Sequence, residues 1–453
     1  MKPYLILGAG LSGLSASYHL GHKNCLILES SRKKFGHISS EVVNGFRWDQ
    51  GPHVSFTKSV YVQQLFADSV KDEYYEHDVT TKNYYNGVWL DHPLQTSLYQ
   101  LESNLRTACL TSFLETRNEH PAEPQNYEDW LNQAFGPKFA ETFPSAYTRK
   151  YWTYEPRQLS TDWVGSRVYR PDIEEVIQGS KGVLDRKTHY ITKIRYPKFG
   201  GYQSFGEKLG LGANVIFDRK VAKISLRDKI VFCSDGSQYA YKTLINTLPL
   251  DKFVQMTIES PIDVVEAADN LDCSQLLLVN VVAKHKPLRT ENWQYVYDLE
   301  KYSTRINHTD LLSPNNGIPG KTGIQVEVYF SKNRPFVPGA TSEIAQCVLK
   351  ELVEMGLIEN LDSIESFSTQ FVPYANVIFK KETSINMEII LSHLSKFGLE
   401  REPDDLYALT NWSEKNISKL GDIILAGRFG QWKYYWSDDC VLRGKVFSSG
   451  IKN

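Results

Sequence analysis

Gly8-Ala9-Gly10-Leu11-Ser12-Gly13 follows the apolar run Tyr4-Leu5-Ile6-Leu7 and opens a stretch, Ser12 to His22, with helical periodicity. Cys25-Leu26-Ile27-Leu28 then reads as a second strand, closed by Glu29. No other feature restricts the fold as tightly. Strand, GxGxxG turn and helix make a β-α-β unit whose helix N-terminus faces anions. Gly8 permits the tight turn, Gly10 lets a pyrophosphate approach the backbone, and Gly13 lets helix and strand pack closely. Glu29 lies 21 residues after Gly8, where its carboxylate can accept hydrogen bonds from both hydroxyls of an adenosine ribose. The unit predicts a bound dinucleotide; the alternative is a structural glycine turn.

The chain is much longer than that unit: 453 residues carry a prior of roughly three domains. An amphipathic helix is expected at 59–70, and mostly helical chain from about 90 to 185. Strand-like runs return at Asn214–Leu226, Lys229–Cys233 and Thr243–Asn246. Residues 275–335, with Leu276–Val282 and Gln325–Phe330, predict an antiparallel sheet. Helices follow at 341–357 and Asn386–Lys396, and a last strand, Asp422–Leu425, precedes Gly427. The first domain reads as interrupted and resumed.

Lys and Arg total 51 against 53 Asp and Glu, a net charge of −2. That balance gives no electrostatic case for nucleic acid or an anionic membrane. The six cysteines form no CxxC pair and read as reduced thiols, with no disulfide framework and no metal site. MKPYLILGAG does not read as a signal peptide, and no apolar run approaches the roughly 18 residues of a membrane span. A cytoplasmic protein is expected. The 26 Tyr and 9 Trp suit flat or sugar-like ligands as well as large cores.

Further along, Gly36-His37, Trp48-Asp49-Gln50-Gly51-Pro52-His53, Tyr196-Pro197-Lys198-Phe199-Gly200-Gly201, the strand around Val221, Leu244-Ile245-Asn246-Thr247-Leu248-Pro249 and Gly427-Arg428 resemble the FAD family of amine oxidases, protoporphyrinogen oxidases and UDP-galactopyranose mutases. That family commonly has Gly-Gly where this chain has Gly36-His37. Gly427-Arg428-Phe429-Gly430-Gln431-Trp432-Lys433-Tyr434 resembles the mutase GR-x-G-x-W/Y-x-Y segment. Gly51-Pro52-His53, Trp163-Val164-Gly165-Ser166-Arg167, Tyr295 with Arg305, His92-Pro93-Leu94-Gln95 and Val372-Pro373-Tyr374 are similar to mutase segments in the same order.

The resemblance implies an α+β / α/β fold. A Rossmann-type FAD-binding domain would be built from 1–85, 195–250 and 405–453, with a mostly helical substrate and flap domain at 86–194 and an antiparallel-sheet substrate domain at 251–404. FAD would be held by Gly8, Gly10, Gly13, Glu29, Gly36, Gly51, Val221, Gly427, Arg428 and Asp439. Gln95, Arg167, Tyr295, Arg305, Tyr374 and Tyr434 would hold substrate, with His53, Arg167 and Arg305 at the chemistry. Two arginines suit a diphosphate, which they grip with forked, charge-assisted bonds. The implied activity is redox-neutral pyranose–furanose interconversion of a UDP-hexose, as in polysaccharide biosynthesis. It would use FAD reduced by NAD(P)H or another reductant. The runner-up is an oxidoreductase of the amine oxidase or protoporphyrinogen oxidase type; a flavin-binding scaffold without activity is a third class. Gly179 and Gly182 are expected as hinges of a flap between Arg167 and Pro197.

Overall fold

Tyr4–Leu7 and Cys25–Leu28 pair in parallel, Tyr4 opposite Cys25 and Leu7 opposite Leu28, with the helix Leu11–Leu20 between them in sequence. The computed structural model describes residues 2–117, 122–165, 168–184, 191–400 and 421–450. Covered on both faces, these strands are apolar throughout instead of alternating. Thr243–Asn246 pairs with Tyr4–Leu7 on the other side, Ile423–Leu425 beyond it, and Val215–Ile216 closes the opposite edge, giving a five-stranded parallel sheet. Its strands thus come from three separated stretches of chain. The last helix, Ser437–Gly450, crosses Leu11–Leu20, where any side chain at Gly444 would overlap Ser15. Ser15 Oγ donates to the Val441 carbonyl across this crossing, 2.7 Å away.

The stretch Asn214–Leu226, expected as one strand, is two. It turns at Asp218, which has φ +55°, and Val221–Ser225 pairs instead with Ile230–Cys233 in a three-stranded antiparallel sheet. The turn is pinned because the Arg219 N–H donates to the Glu29 carbonyl at 2.8 Å.

The large sheet has seven strands in the order Ile364–Ile378, Asp272–Ala283, Thr322–Phe330, Arg305–His308, Trp293–Val296, Thr81–Tyr85 and Val88–Asp91. The last two extend it beyond the 251–404 stretch. They form a hairpin whose two-residue turn, Asn86-Gly87, has positive φ at both positions, the geometry that matches strand twist. Trp293–Val296 joins this hairpin in parallel, and the other pairings are antiparallel.

The helical stretch comprises Ser103–Arg117, Tyr127–Phe135, Pro137–Ala140, a π-helical turn at Glu141–Ser145, Ala146–Tyr151 and Ile173–Lys181. Pro144 lacks an N–H and crowds the preceding turn, so the ladder widens there, immediately before Tyr147. Gly179 does not serve as a hinge. A Cβ there would overlap the Thr96 backbone, so glycine is needed for helix Ile173–Lys181 to pack close. Gly182 faces open space, while Arg167 and 185–190 lie outside the described residues. All six cysteines are free, and among the described residues no helix is long and apolar enough to cross a membrane.

His308 is fully buried in the large sheet, and burial pulls its pKa down to about 4. The unfolded chain therefore binds this proton first as pH falls below about 6.5, and stability is lost from there down through the folded value. The group should make the protein about 2 kcal/mol less stable at pH 5 than at pH 7. Urea unfolding at both pH values, for wild type and His308→Gln, checks this. An unchanged pH dependence in the variant would count against it.

Candidate active site

The nucleotide end follows the glycine spacing. Gly8 has φ +99°, with Thr247 Oγ1 2.6 Å from where a Cβ would stand, and a Cβ on Gly13 would overlap the Gly8 carbonyl. Gly10 differs: its backbone is extended, at φ −72°, and a Cβ there would find only the Gly36 Cα, at 3.9 Å. The space over Gly10 is open where a pyrophosphate would lie. Gly36 closes the other side in a second turn, tied by the Phe35 N–H donating to the Ala9 carbonyl at 2.8 Å. Glu29 accepts from the Ala9 N–H and the Ser31 N–H, each at 2.8 Å. An ionised carboxylate has about four acceptor positions, so ribose hydroxyls can still be taken. Val221 is buried and begins the strand after the turn fixed to Glu29. These residues fit a dinucleotide.

The fit predicts a clean separation of fold from cofactor. Gly10→Val should fold, because a Cβ there meets only the Gly36 Cα, at 3.9 Å, an ordinary van der Waals contact. It should purify without flavin, because the side chain fills the pyrophosphate's place. Absorbance at purification and thermal unfolding of the cofactor-free forms check this; a yellow variant would refute it.

Beyond the second turn opens a cavity of about 420 Å³. Gly51, at φ +93°, Pro52 and His53 form one wall. His53 Nδ1 lies 2.9 Å from the Gly51 carbonyl, which can only accept, so Nδ1 carries the proton. The ring stacks on Tyr202, and burial, reinforced by the charge of Arg428, lowers its pKa to about 3. His53 is therefore neutral near pH 7, with Nε2 available as an acceptor. His37, where the family commonly has a glycine, also lines this wall, 5.5 Å ring to ring from Phe429.

Opposite stands Arg305, in the strand Arg305–His308. Its Nε and Nη2 donate to the two oxygens of Glu327 at 2.5 and 2.8 Å, and the Tyr329 hydroxyl donates to Glu327 at 2.8 Å. Glu327 is 1 % exposed. Burial opposes the charge of Arg305, but Glu327 outweighs it and holds the guanidinium's pKa well above its ordinary value. Gly51 permits this arrangement, since a Cβ there would sit 3.1 Å from Glu327 Oε1. Arg305 is thus already committed to a carboxylate, leaving Nη1 for a ligand.

Arg428 is held differently. Its donors go to the Tyr435 and Ala375 carbonyls, both at 2.8 Å, and to Asn376 Oδ1 at 3.0 Å; it forms no ion pair among the described residues. Asn376 Nδ2 in turn donates to the Tyr151 hydroxyl at 3.0 Å, which lies 3.4 Å from the Tyr434 hydroxyl. Tyr434 packs against Trp152 and Trp163. Tyr295 lines the cavity and accepts from Trp293 Nε1 at 2.9 Å; Gln95 lines it and donates to the Tyr169 carbonyl at 3.1 Å.

Of the remaining expected residues, Tyr374 stands apart from the cavity, whereas Gly427 adjoins the nucleotide end. Tyr374 is not brought to the cavity: its hydroxyl donates to Asp251 at 2.8 Å. The cause is a bulge. Val372 pairs with Leu276 and Asn376 with Ser274, so four residues on one strand span two on its partner, and alternation slips between them. Asp439 is buried and accepts the Trp436 N–H at 2.9 Å, capping the last helix. Gly427, at φ +84°, packs against Ser12 at the N-terminus of helix Leu11–Leu20. Arg167 falls outside the described residues, although Trp163, four positions earlier, lines the cavity. Glu327, Tyr329, Tyr147 and Tyr151 are cavity residues that sequence reasoning missed. Only Glu327 left a trace: it is the single charged residue in the strand Thr322–Phe330, buried along its whole length.

The fold is similar to that of several solved structures. Reduced UDP-galactopyranose mutase matches with a TM-score of 0.86 at 22% identity, over 99% of this chain and 95% of that one. A putative protoporphyrinogen oxidase from Exiguobacterium sp. 255-15 matches at 0.71 and 14% identity, over 99% and 98%. A CLA-producing fatty acid isomerase from P. acnes matches at 0.63 and 15% identity, over 100% and 99%. The family model of flavin-containing amine oxidoreductases matches residues 11–382, so most of the chain carries its pattern. The chain belongs to the flavin-containing amine oxidoreductase family.

Proposed function

We propose that this protein is an FAD-dependent mutase acting on a nucleotide-activated hexose, with a UDP-hexose as first candidate, and that it interconverts ring forms without net redox. The observation that carries the reading is the cavity's make-up. Arg428 forms no ion pair among the described residues, Arg305 has a free Nη1, and tyrosines stand around both, with Glu327 and Asp438 as the carboxylates of the same lining. An anionic diphosphate would find forked, charge-assisted donors in these two guanidinium groups. The fold likeness to a UDP-galactopyranose mutase supports the same reading.

Reduced flavin would supply the electron pair for attack at the sugar. The chain's own groups do the rest. Arg305 and Arg428 balance the charge that builds on the departing diphosphate, with Arg167 as a further proposed contact. Tyr295, Tyr434 and Gln95 orient the sugar nucleotide. Neutral His53, its one proton held on Nδ1 by the Gly51 carbonyl, presents Nε2 as a hydrogen-bond acceptor for a sugar hydroxyl and, at a pKa near 3, does not act as a general acid. NAD(P)H or another reductant would keep the flavin reduced.

Calorimetry with UDP on flavin-loaded protein tests the substrate class. Saturable binding in the micromolar range, weakened by added salt, is expected. No binding of UDP or of any nucleotide sugar would leave the oxidoreductase reading, which the protoporphyrinogen oxidase likeness and the family pattern favour.

A further inference from the structure

Two walls of the cavity meet at a buried cation that the chemistry above does not use. One wall is the short helix Ala146–Tyr151, which presents Tyr147 and Tyr151. The other is the strand pair Trp293–Val296 and Arg305–His308, which with Tyr297 presents Tyr295 and Arg305. The rings touch across the gap, Tyr147 to Tyr295 at 5.4 Å and Tyr147 to Tyr297 at 5.6 Å between centroids. Lys150, one turn after Tyr147 on the helix, is 2 % exposed, and its ammonium donates to the carbonyls of Asp298 and Ser303, both at 2.7 Å. Both acceptors lie in the turn that joins Tyr295 to Arg305.

That turn is held from a second direction by the opposite charge. Glu351, on the helix Thr341–Glu354, accepts from the Tyr302 N–H at 2.8 Å, the Ser303 N–H at 2.9 Å and the Ser303 hydroxyl at 2.5 Å. Burial lowers the Lys150 pKa to about 7 against the pull of Glu351, Asp298 and Glu300, with Arg334 adding to the fall. The far end of the helix is fixed too. The Arg334 guanidinium donates to the Lys150 carbonyl at 3.2 Å, and Asn333 Nδ2 donates to the Thr153 carbonyl at 2.6 Å. Thr153 has φ +63°, a conformation costly for a β-branched residue and kept only where its surroundings impose it. A lysine needed only for stability could be replaced by an apolar side chain, since desolvating a charge is expensive. Here the lysine ties the helix Ala146–Tyr151 to the turn between the strands Trp293–Val296 and Arg305–His308.

We propose that Lys150 is a positioning residue: its two hydrogen bonds set the spacing between the Tyr147/Tyr151 wall and the Tyr295/Arg305 wall, and through it the affinity for ligand. The proposal rests on the nucleotide-sugar reading only in its choice of UDP as probe.

The test compares flavin-loaded wild type with Lys150→Met and with Ile344→Ala, a core change two turns before Glu351 on its helix. UDP affinity is measured by calorimetry and wall spacing by crystallography. Lys150→Met should bind UDP at least tenfold more weakly and separate Tyr147 from Tyr295. Ile344→Ala should lower the unfolding midpoint yet bind UDP within twofold of wild type. If Lys150→Met binds within twofold, or both variants weaken alike, the assignment falls. Should the Met variant not fold, Lys150→Gln, whose amide nitrogen stands one bond nearer the backbone than the ammonium, is held to the same limits. If wild type binds no UDP, the nucleotide-sugar reading fails, and the crystal structures alone decide on Lys150: superposable walls overturn it and separated walls uphold it.

Discussion

Arg305→Ala should lower the protein's stability by about 3 kcal/mol as well as weaken ligand binding, because it strands Glu327. That carboxylate is 1 % exposed and accepts two of the guanidinium's donors. Removing one partner of a buried ion pair costs about 3–5 kcal/mol; the lower figure applies because Arg305 itself faces the cavity. The Tyr329 hydroxyl cannot replace a cation. In Arg305→Ala/Glu327→Gln the stranded charge is gone, so most of the stability should return. UDP affinity should stay down by about tenfold in both, the worth of one charge-assisted bond of about 1.5 kcal/mol. Urea unfolding and calorimetry on the two variants separate these effects. If the double variant is no more stable than the single, the Glu327 account is wrong. If both bind UDP as wild type does, Arg305 is not a ligand contact.

The same pair shows what a sequence discloses and what it hides. Gly8, Gly10, Gly13 and Glu29 were legible because their constraints are local: a turn, a close helix and a strand end lie within one β-α-β unit. Arg305 was legible as a residue, but its partner was not, since Glu327 meets it only through the strand register Arg305 opposite Glu327. Register is set by contacts distant in sequence. Tyr374 was misplaced for a related reason. The strand was recognisable, but the bulge that turns its side chain to Asp251 is a property of the pairing with Asp272–Ala283. The Thr81–Asp91 hairpin joins the large sheet through Trp293–Val296, about 210 residues away, and nothing local announces that partner. Lys150 illustrates the reverse case. In sequence it is one lysine among 51 basic residues, and only burial between two walls gives it a role.

The largest effect expected of all is a dependence on flavin redox state. A mutase that uses the flavin's electron pair must be inert when that pair is absent, and an oxidase must be inert when it is already reduced. On the proposed reading, neutral His53 and the fixed Arg305–Glu327 pair would orient the sugar nucleotide, and the flavin alone would change state.

The most direct measurement follows UDP-galactose, and then other nucleotide sugars, by chromatography with oxidised and with dithionite-reduced protein, titrating reductant alongside. The account predicts no conversion by the oxidised form and many turnovers to a ring isomer by the reduced form, with no reductant consumed per turnover. Acceptor-coupled oxidation of an amine or porphyrinogen-like substrate, one acceptor per turnover, with no reductant-dependent isomerisation of any nucleotide sugar, would contradict it.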